Sequence, residues 1–564
     1  MKVTVLGQGD ITLTQKDFVA SGGEGHVYTR GGTAYKIYID PKRALPAGKI
    51  TELAVLTEPN IIKPEIVLLD PVKHHPIGYT MRFVRDTLPM CQVITRAFRE
   101  REGIDHSMML KLIQRLQALV DHTHKAGVLI VDLNELNYLV NKAFDDVYGI
   151  DVDSYQTKSY PATAIMPSVR DWSVQGHAFT EGSDWFSFAC IAYQMFTCIH
   201  PFKGKHPTVH GLEARMKAGL SVFDADVSVP KVVYPNTVIP PGYLAWFKAV
   251  LQDGKRVAPP SDPGSFVAVA VASRIVMGGA ALDIDEVHTY RDMLLGFTES
   301  NGTRVAWMRS GVWVNDHPAL GPTHVQAIGF SPKQGHVIVA WTDGPDLRLY
   351  NATTQQAIPV TLRADDVRGH EGRIYVRSTD RVIEVILHEM SGQIIPTPKV
   401  VTQVLEHSSR LFDGAVVQDM LGSIFVSVYP RSGASFQTRI PELEAYKIVD
   451  AKCDGRVLMV VGTLKSKPTG YDRLTFVFDE SFTTYKRATT VQDVPLAGMN
   501  FIVLDSGICV HLTEDEKLEV WSVNAPGKIK VVEDKVLGGD MRLVKYGGRV
   551  AFVRGDKVST IRMK

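Results

Sequence analysis

Three textures along the 564 residues predict an α+β bilobal domain followed by an all-β domain. Short β segments with one helix candidate fill residues 11–85, a helical period runs from about 105 to 255, and hairpin-like runs recur beyond about 285. The expected division is a β-rich lobe over 1–85, a helical lobe over 86–265, a linker over 266–284 and a β domain over 285–564. At 45% hydrophobic and 22% charged, the composition is that of a globular chain too long for one core.

In the first lobe the alternation Ile11-Thr12-Leu13-Thr14 predicts a strand, as do Val27-Tyr28, Ala34 to Ile39, Ile66 to Leu69 and Tyr79 to Val84. Gly48 to Thr57 is the helix candidate. In the second lobe Met108, Met109, Leu112, Ile113, Leu116, Leu119 and Val120 recur at three- and four-residue steps, the stripe of a helix buried on one face. Trp185 to Phe196 predicts a nearly all-apolar helix ending before His200-Pro201-Phe202, and Leu212 to Ala218 a third. Pro and Gly gather between Ala258 and Gly264, where a domain is expected to end.

Beyond 285 the runs Arg304 to Met308, His336 to Ala340, Arg373 to Arg377, Ser423 to Ser427, Arg456 to Val460, Gly507 to His511 and Arg549 to Val553 each read as a strand. Several are followed by a second, such as Asp346 to Tyr350, Arg381 to Val385 or Lys517 to Trp521. A mean spacing of roughly 40 residues is the length of a four-stranded blade, which predicts a six- or seven-bladed β-propeller; a β-sandwich with coincidental hairpins is the alternative. Trp307, Trp313, Trp341 and Trp521 are read as blade core.

Lys+Arg 62 against Asp+Glu 61 leaves a formal net charge of +1, so no global field draws the chain to nucleic acid or anionic lipid. Cys91, Cys190, Cys198, Cys453 and Cys509 are scattered and without a CxxC pair, which argues against a disulfide framework and a zinc site. The first residues lack the apolar run of a signal peptide, and the most apolar stretch, Phe266 to Leu282, is interrupted by Ser273, Arg274 and a Gly pair. The expectation is a cytoplasmic protein that does not enter a membrane.

The chemistry-bearing residues occur in one order. A Gly turn, Gly22-Gly23-Glu24-Gly25-His26-Val27-Tyr28, is followed by Ala34-Tyr35-Lys36, then Asp132-Leu133-Asn134-Glu135-Leu136-Asn137, then Ile150-Asp151-Val152-Asp153. Glycines let backbone N–H groups approach phosphate, a lysine supplies the cation, and carboxylate and amide oxygens suit Mg²⁺. In a strand, Lys36 points to the face opposite Tyr35 and Ile37.

That order resembles the protein kinase superfamily, over about residues 11 to 257. Against the pattern G-x-G-x-x-G-x-V the chain has Ala20, Gly22, Gly25 and Val27, the first Gly being replaced. The resemblance implies that Gly22 and Gly25 turn over the phosphates, Val27 covers the base, and Lys36 pairs with the phosphates and with a helix glutamate, here Glu52. It implies that Met81 lines the adenine pocket, with backbone groups of Arg82 and Val84 on the base. Asp132 would accept the proton of the acceptor hydroxyl, Asn137 and Asp151 would hold metal, and Asp153 stands where the family has Gly and is a possible further metal ligand.

Asp184, in Gly182-Ser183-Asp184-Trp185-Phe186-Ser187-Phe188, would bond the catalytic-loop backbone. Leu129-Ile130-Val131-Asp132 lacks the family's His-Arg, so activity is not expected to need loop phosphorylation. Met166-Pro167-Ser168 has Ser where the family has Glu, so the ion pair to an Arg near Arg256 is expected to be missing. The motifs are similar to a bacterial and phage-borne branch. The implied function is an ATP- and Mg²⁺-dependent Ser/Thr protein kinase whose propeller binds a protein substrate or partner, with no nucleic acid. A pseudokinase scaffold is the alternative, and phosphorylation of a small molecule a third.

Overall fold

The computed structural model describes residues 1–162, 165–264, 279–466, 470–495 and 498–564. Up to Leu251 sheet and helix are mixed; from Leu282 onward the elements among the described residues are strands, with one short 3₁₀ turn. Residues 265–278, which hold most of the expected linker and of the Phe266 to Leu282 stretch, lie outside the described residues. Among the described residues no helix is long and apolar enough to cross a membrane.

The first region opens on a seven-stranded antiparallel sheet in which Thr33–Tyr38 lies between Gly25–Arg30 and Pro76–Arg82. The two-residue period sorts its side chains. Tyr35 and Ile37 pack with Val3, Val5, Phe18 and Leu68 on one face, whereas Ala34 and Tyr38 pack with Tyr79, Met81 and Leu45 on the other. Lys36 falls on this second face, opposite Val27 on one neighbouring strand and Tyr79 on the other. The strand begun at Ile11 starts earlier, because Lys2–Val5 and Gly9–Thr12 form a hairpin that extends the sheet beside Ile66–Leu69. The helix candidate is shorter than its sequence pattern, running Ala47–Leu53.

The helical part is built on His106–Lys125, whose start is capped by the Asp105 carboxylate accepting from the Ser107 and Met108 N–H groups. Met109, Leu112, Ile113, Leu116, Leu119 and Val120 are its buried stripe. Glu181–Thr197 is buried on all sides from Ser183 onward, as an apolar run without a polar face must be. Arg256 is not left without an acid: Asp171, three residues beyond Ser168, meets its guanidinium at 2.5 and 2.8 Å. The expectation of a missing pair is therefore corrected. A bidentate carboxylate needs only to reach the fork, and Asp171 reaches it from a later position.

Among the described residues from Leu282 onward there are seven four-stranded antiparallel sheets in succession, six of them consecutive meanders. The seventh is shared by the two ends of the region, Leu282–Thr289 pairing with Lys557–Met563. Each sheet shares a buried apolar cluster with the next and the last with the first, so the seven close into a ring and do not stack as two facing layers. Six of the seven runs singled out in the sequence lie in second strands of their sheets. Ser423–Val428 is a third strand, because Ala415–Met420 precedes it. Trp307, Trp313 and Trp341 pack against these clusters and Trp521 lies within one.

The two regions share a core. Val449, Val461, Tyr471 and Val494 of the ring are buried with the apolar residues of the helical part. Around them Gln92 Nε2 donates to Val449 O at 2.8 Å and Lys203 Nζ to Val494 O at 3.0 Å. The Arg96–Glu102 helix ends against the ring, with Glu102 3.1 Å from Arg368. Burial raises the Glu102 carboxyl, but the guanidiniums of Arg368 and Arg101 outweigh it and bring it down to about 2.

Because that pKa is depressed from 4.5, the stabilisation is complete above the unfolded value and disappears as pH falls through about 2. Glu102→Ala, which takes the nearer of two carboxylates from the buried Arg368 and leaves Asp366 at 3.4 Å, is expected to cost about 2 kcal/mol in urea unfolding at neutral pH. At pH 2 the variant and the parent should unfold alike.

Candidate functional site

The Gly turn joins Phe18–Ser21 to Gly25–Arg30 and is closed by Gly22 N–H donating to Gly25 O at 2.9 Å. A Cβ on Gly25 would stand 2.6 Å from Ile37 O, so this glycine is demanded by the neighbouring strand itself. At Gly22 an added Cβ meets only Gly25 O, at 3.7 Å. Val27, Phe83, Val84, Tyr148 and Ile150 lie against the cluster of Ala34 and Met81, forming an apolar wall contributed by the sheet and by the segment just before Asp151. Arg82 is exposed; its guanidinium turns away to Pro59 O and over the Tyr148 ring.

Lys36 is 6% exposed, and its ammonium donates to Asp151 Oδ1 at 3.0 Å and to both oxygens of Asp153 at 2.9 and 3.0 Å. Burial works against the Lys36 charge, but Asp151 and Asp153 outweigh it and hold the ammonium well above the usual lysine range. Asp153 also accepts from Tyr38 OH at 2.6 Å and Tyr79 OH at 2.7 Å. Burial raises its carboxyl, yet Lys36 and the two phenols bring it below the usual value.

Glu52 stands elsewhere: its carboxylate accepts from Ser159 N–H at 3.1 Å. The inward residue of its helix is Lys49, 2% exposed, which donates to Asp153 O at 2.7 Å. The pairing expected of Glu52 is thus corrected, since only one face of a helix can meet the cleft and Lys49 occupies it.

The loop with Asp132 is fixed by two cross-links. Leu129 and Gln156 exchange backbone hydrogen bonds at 3.0 and 2.8 Å, tying this loop to the segment after Asp151. Asp184, fully buried, accepts from the Ile130 and Val131 N–H groups at 2.8 Å each and meets His124 Nε2 at 2.9 Å. Val131 has a φ of +63°, a conformation a β-branched residue holds only when its surroundings impose it. The two Asp184 bonds supply that force.

Asp132 Oδ1 accepts from Met166 N–H at 2.7 Å and its Oδ2 from Asn137 Nδ2 at 3.2 Å. Burial raises the Asp132 carboxyl above the ordinary range despite these bonds. Asn137 O accepts from Ile150 N–H at 2.9 Å, which sets the amide beside Asp151, itself in the left-handed region at φ +57°. Hydrogen bonds therefore connect Lys36 to Asp151 and Asn137 to Asp132, and Asn137 to the residue before Asp151. An Asn amide oxygen and an Asp carboxylate are hard oxygen donors that fit a divalent cation such as Mg²⁺.

Next to this loop the ring touches the helical part. Tyr471 OH donates to Glu135 Oε1 at 2.6 Å and Lys447 Nζ to Leu136 O at 3.0 Å. Sequence reasoning missed Tyr38, Tyr79, Lys49 and Tyr471. Tyr38 was within reach, standing two residues from Lys36 and so on the same face of its strand.

No family model matches the chain. Over 160 residues it is 24% identical to ribosomal protein S6 kinase alpha-3 of Mus musculus and to that of Homo sapiens, covering 27% of this chain and 20% of each relative. The chain thus spans about a fifth of the length of the curated relatives it matches. That distant, partial similarity marks a protein-kinase-like region within the chain.

Proposed function

We propose that the first region is an ATP- and Mg²⁺-dependent protein kinase acting on Ser or Thr, and that the ring of seven sheets is a β-propeller that recruits or selects a protein partner. The observation that supports this reading is the bonding of Lys36 to Asp151 and of Asn137 to Asp132 where the β-rich sheet meets the helical part. The distant similarity to a named kinase supports it. The apolar wall around Val27, Ala34 and Met81 takes the base, with Arg82 and Val84 contributing backbone groups.

Bound Mg²⁺, held by Asn137 and Asp151, supplies neutralisation of the triphosphate charge. Lys36 holds phosphate oxygens with its ammonium. Asp132 orients the acceptor hydroxyl and takes its proton as the new O–P bond forms and the bond to the leaving diphosphate breaks. Burial helps here, because a carboxylate whose pKa is raised is the stronger base.

A non-catalytic scaffold is the second reading. It is favoured by Asp132, whose two carboxylate oxygens already accept from Met166 and Asn137 within the chain.

Transfer of labelled γ-phosphate to protein from a bacterial lysate separates the two. Asp132→Asn is expected to lower transfer by about 1,000-fold while keeping the ATP–Mg²⁺ thermal shift. Asp151→Ala should lose both. Absence of transfer by the parent, with the thermal shift intact, would leave the scaffold reading. Since Asp132 acts ionised and its pKa is raised, activity should fall on acidification at a pH above the ordinary carboxylate value of 3.8.

A further inference from the structure

We infer that Asp153 is the positioning residue for Lys36, in place of a carboxylate from the Ala47–Leu53 helix. This rests on the kinase reading of the cleft and adds how its cation is held. An ionised carboxylate offers about four acceptor positions. In Asp153 all are used: Oδ1 accepts from Lys36 at 3.0 Å and Tyr79 at 2.7 Å, Oδ2 from Lys36 at 2.9 Å and Tyr38 at 2.6 Å. No lone pair is left for a cation, so Asp153 is excluded as a metal ligand.

The two carboxylates beside Lys36 differ in kind. The Asp151 side chain is 48% exposed, open to a cation from the cleft, whereas that of Asp153 is 6% exposed and closed in by two phenols. Lys36 can exchange Asp151 for phosphate and still keep a counter-charge, which a buried ammonium requires. The helix enters indirectly, through Lys49 donating to Asp153 O at 2.7 Å. It steadies the backbone that carries the anchor, and its own acid, Glu52, is engaged with Ser159.

The test uses the full-length chain and two readouts. Acetylation of Lys36 by acetic anhydride, followed by mass spectrometry with the exposed Lys125 as internal reference, reports how firmly the ammonium is held without requiring activity. Asp153→Asn should label Lys36 about tenfold faster than the parent, and Glu52→Gln at the parent rate. Steady-state kinetics with ATP varied over a fixed amount of bacterial lysate protein should show the apparent kcat/KM for ATP reduced about 100-fold in Asp153→Asn and unchanged in Glu52→Gln, as for a displaced but intact group. The Tyr38→Phe/Tyr79→Phe pair, which keeps the carboxylate and removes two of its four bonds, should fall between, and it carries the test should Asp153→Asn not fold. Equal Lys36 labelling in the parent and these variants, or a loss in Glu52→Gln matching that in Asp153→Asn, would overturn the inference. Unchanged labelling order with no transfer by the parent would instead remove the kinase reading and leave the Asp153 anchor in place.

Discussion

A charged lysine buried in the middle of a sheet is the constraint from which the first region is organised. Burial of the Lys36 ammonium is unfavourable by itself, and no acid on its own strand offsets it. The counter-charge comes from Asp151 and Asp153, more than a hundred residues further along. The sheet is therefore complete only when that segment has docked beneath it. The segment is bonded in turn to Leu129, and the neighbouring Ile130 and Val131 to Asp184 on the central buried helix. One desolvated charge thus connects the sheet, the loop with Asp132 and the helical core in a single chain of dependence.

The ring does not hang from the first region by a tether. Its apolar residues Val449, Val461, Tyr471 and Val494 are buried in the helical core, and the charged Glu102–Arg368 contact lies at the same boundary. It also reaches the loop with Asp132 and the Gly turn: Tyr471 bonds Glu135, three residues from Asp132, and the Lys465 carbonyl lies 3.5 Å from where a Cβ on Gly23 would stand. On the proposed reading, an acceptor arriving at Asp132 passes a wall made partly by the ring. Selection of the acceptor is then a property of the joined surface, not of either part alone.

Periodicity made much of this legible. The buried stripe of His106–Lys125, the all-apolar Glu181–Thr197 and the strand with Lys36 follow from side-chain spacing, because burial on one face or on all faces leaves a mark in the sequence. The recurring runs beyond 285 revealed the sheets, though Ser423–Val428 was out of step with the other six. Partnerships between distant residues left no such mark. Position within a motif nominated Glu52 for Lys36 and cast Asp153 as a further metal ligand, and the same logic overlooked Asp171 as the acid for Arg256; geometry decides such pairs, and any carboxylate that reaches will serve. The first hairpin, Lys2–Thr12, was cut short because its alternation is brief and mostly polar.

The pairing of Leu282–Thr289 with Lys557–Met563 has a bearing on how the molecule comes into being. During synthesis the strand that opens the ring waits, its edge unpaired, until Lys557–Met563 has left the ribosome, so closure is a contact of very high sequence separation and a slow step. The kinase-like region emerges before the ring, and the partners of Lys36 lie within that region. Its apolar boundary with the ring stays exposed in the interval, which makes this waiting period the stage at which the nascent chain is most open to aggregation or to capture by a chaperone.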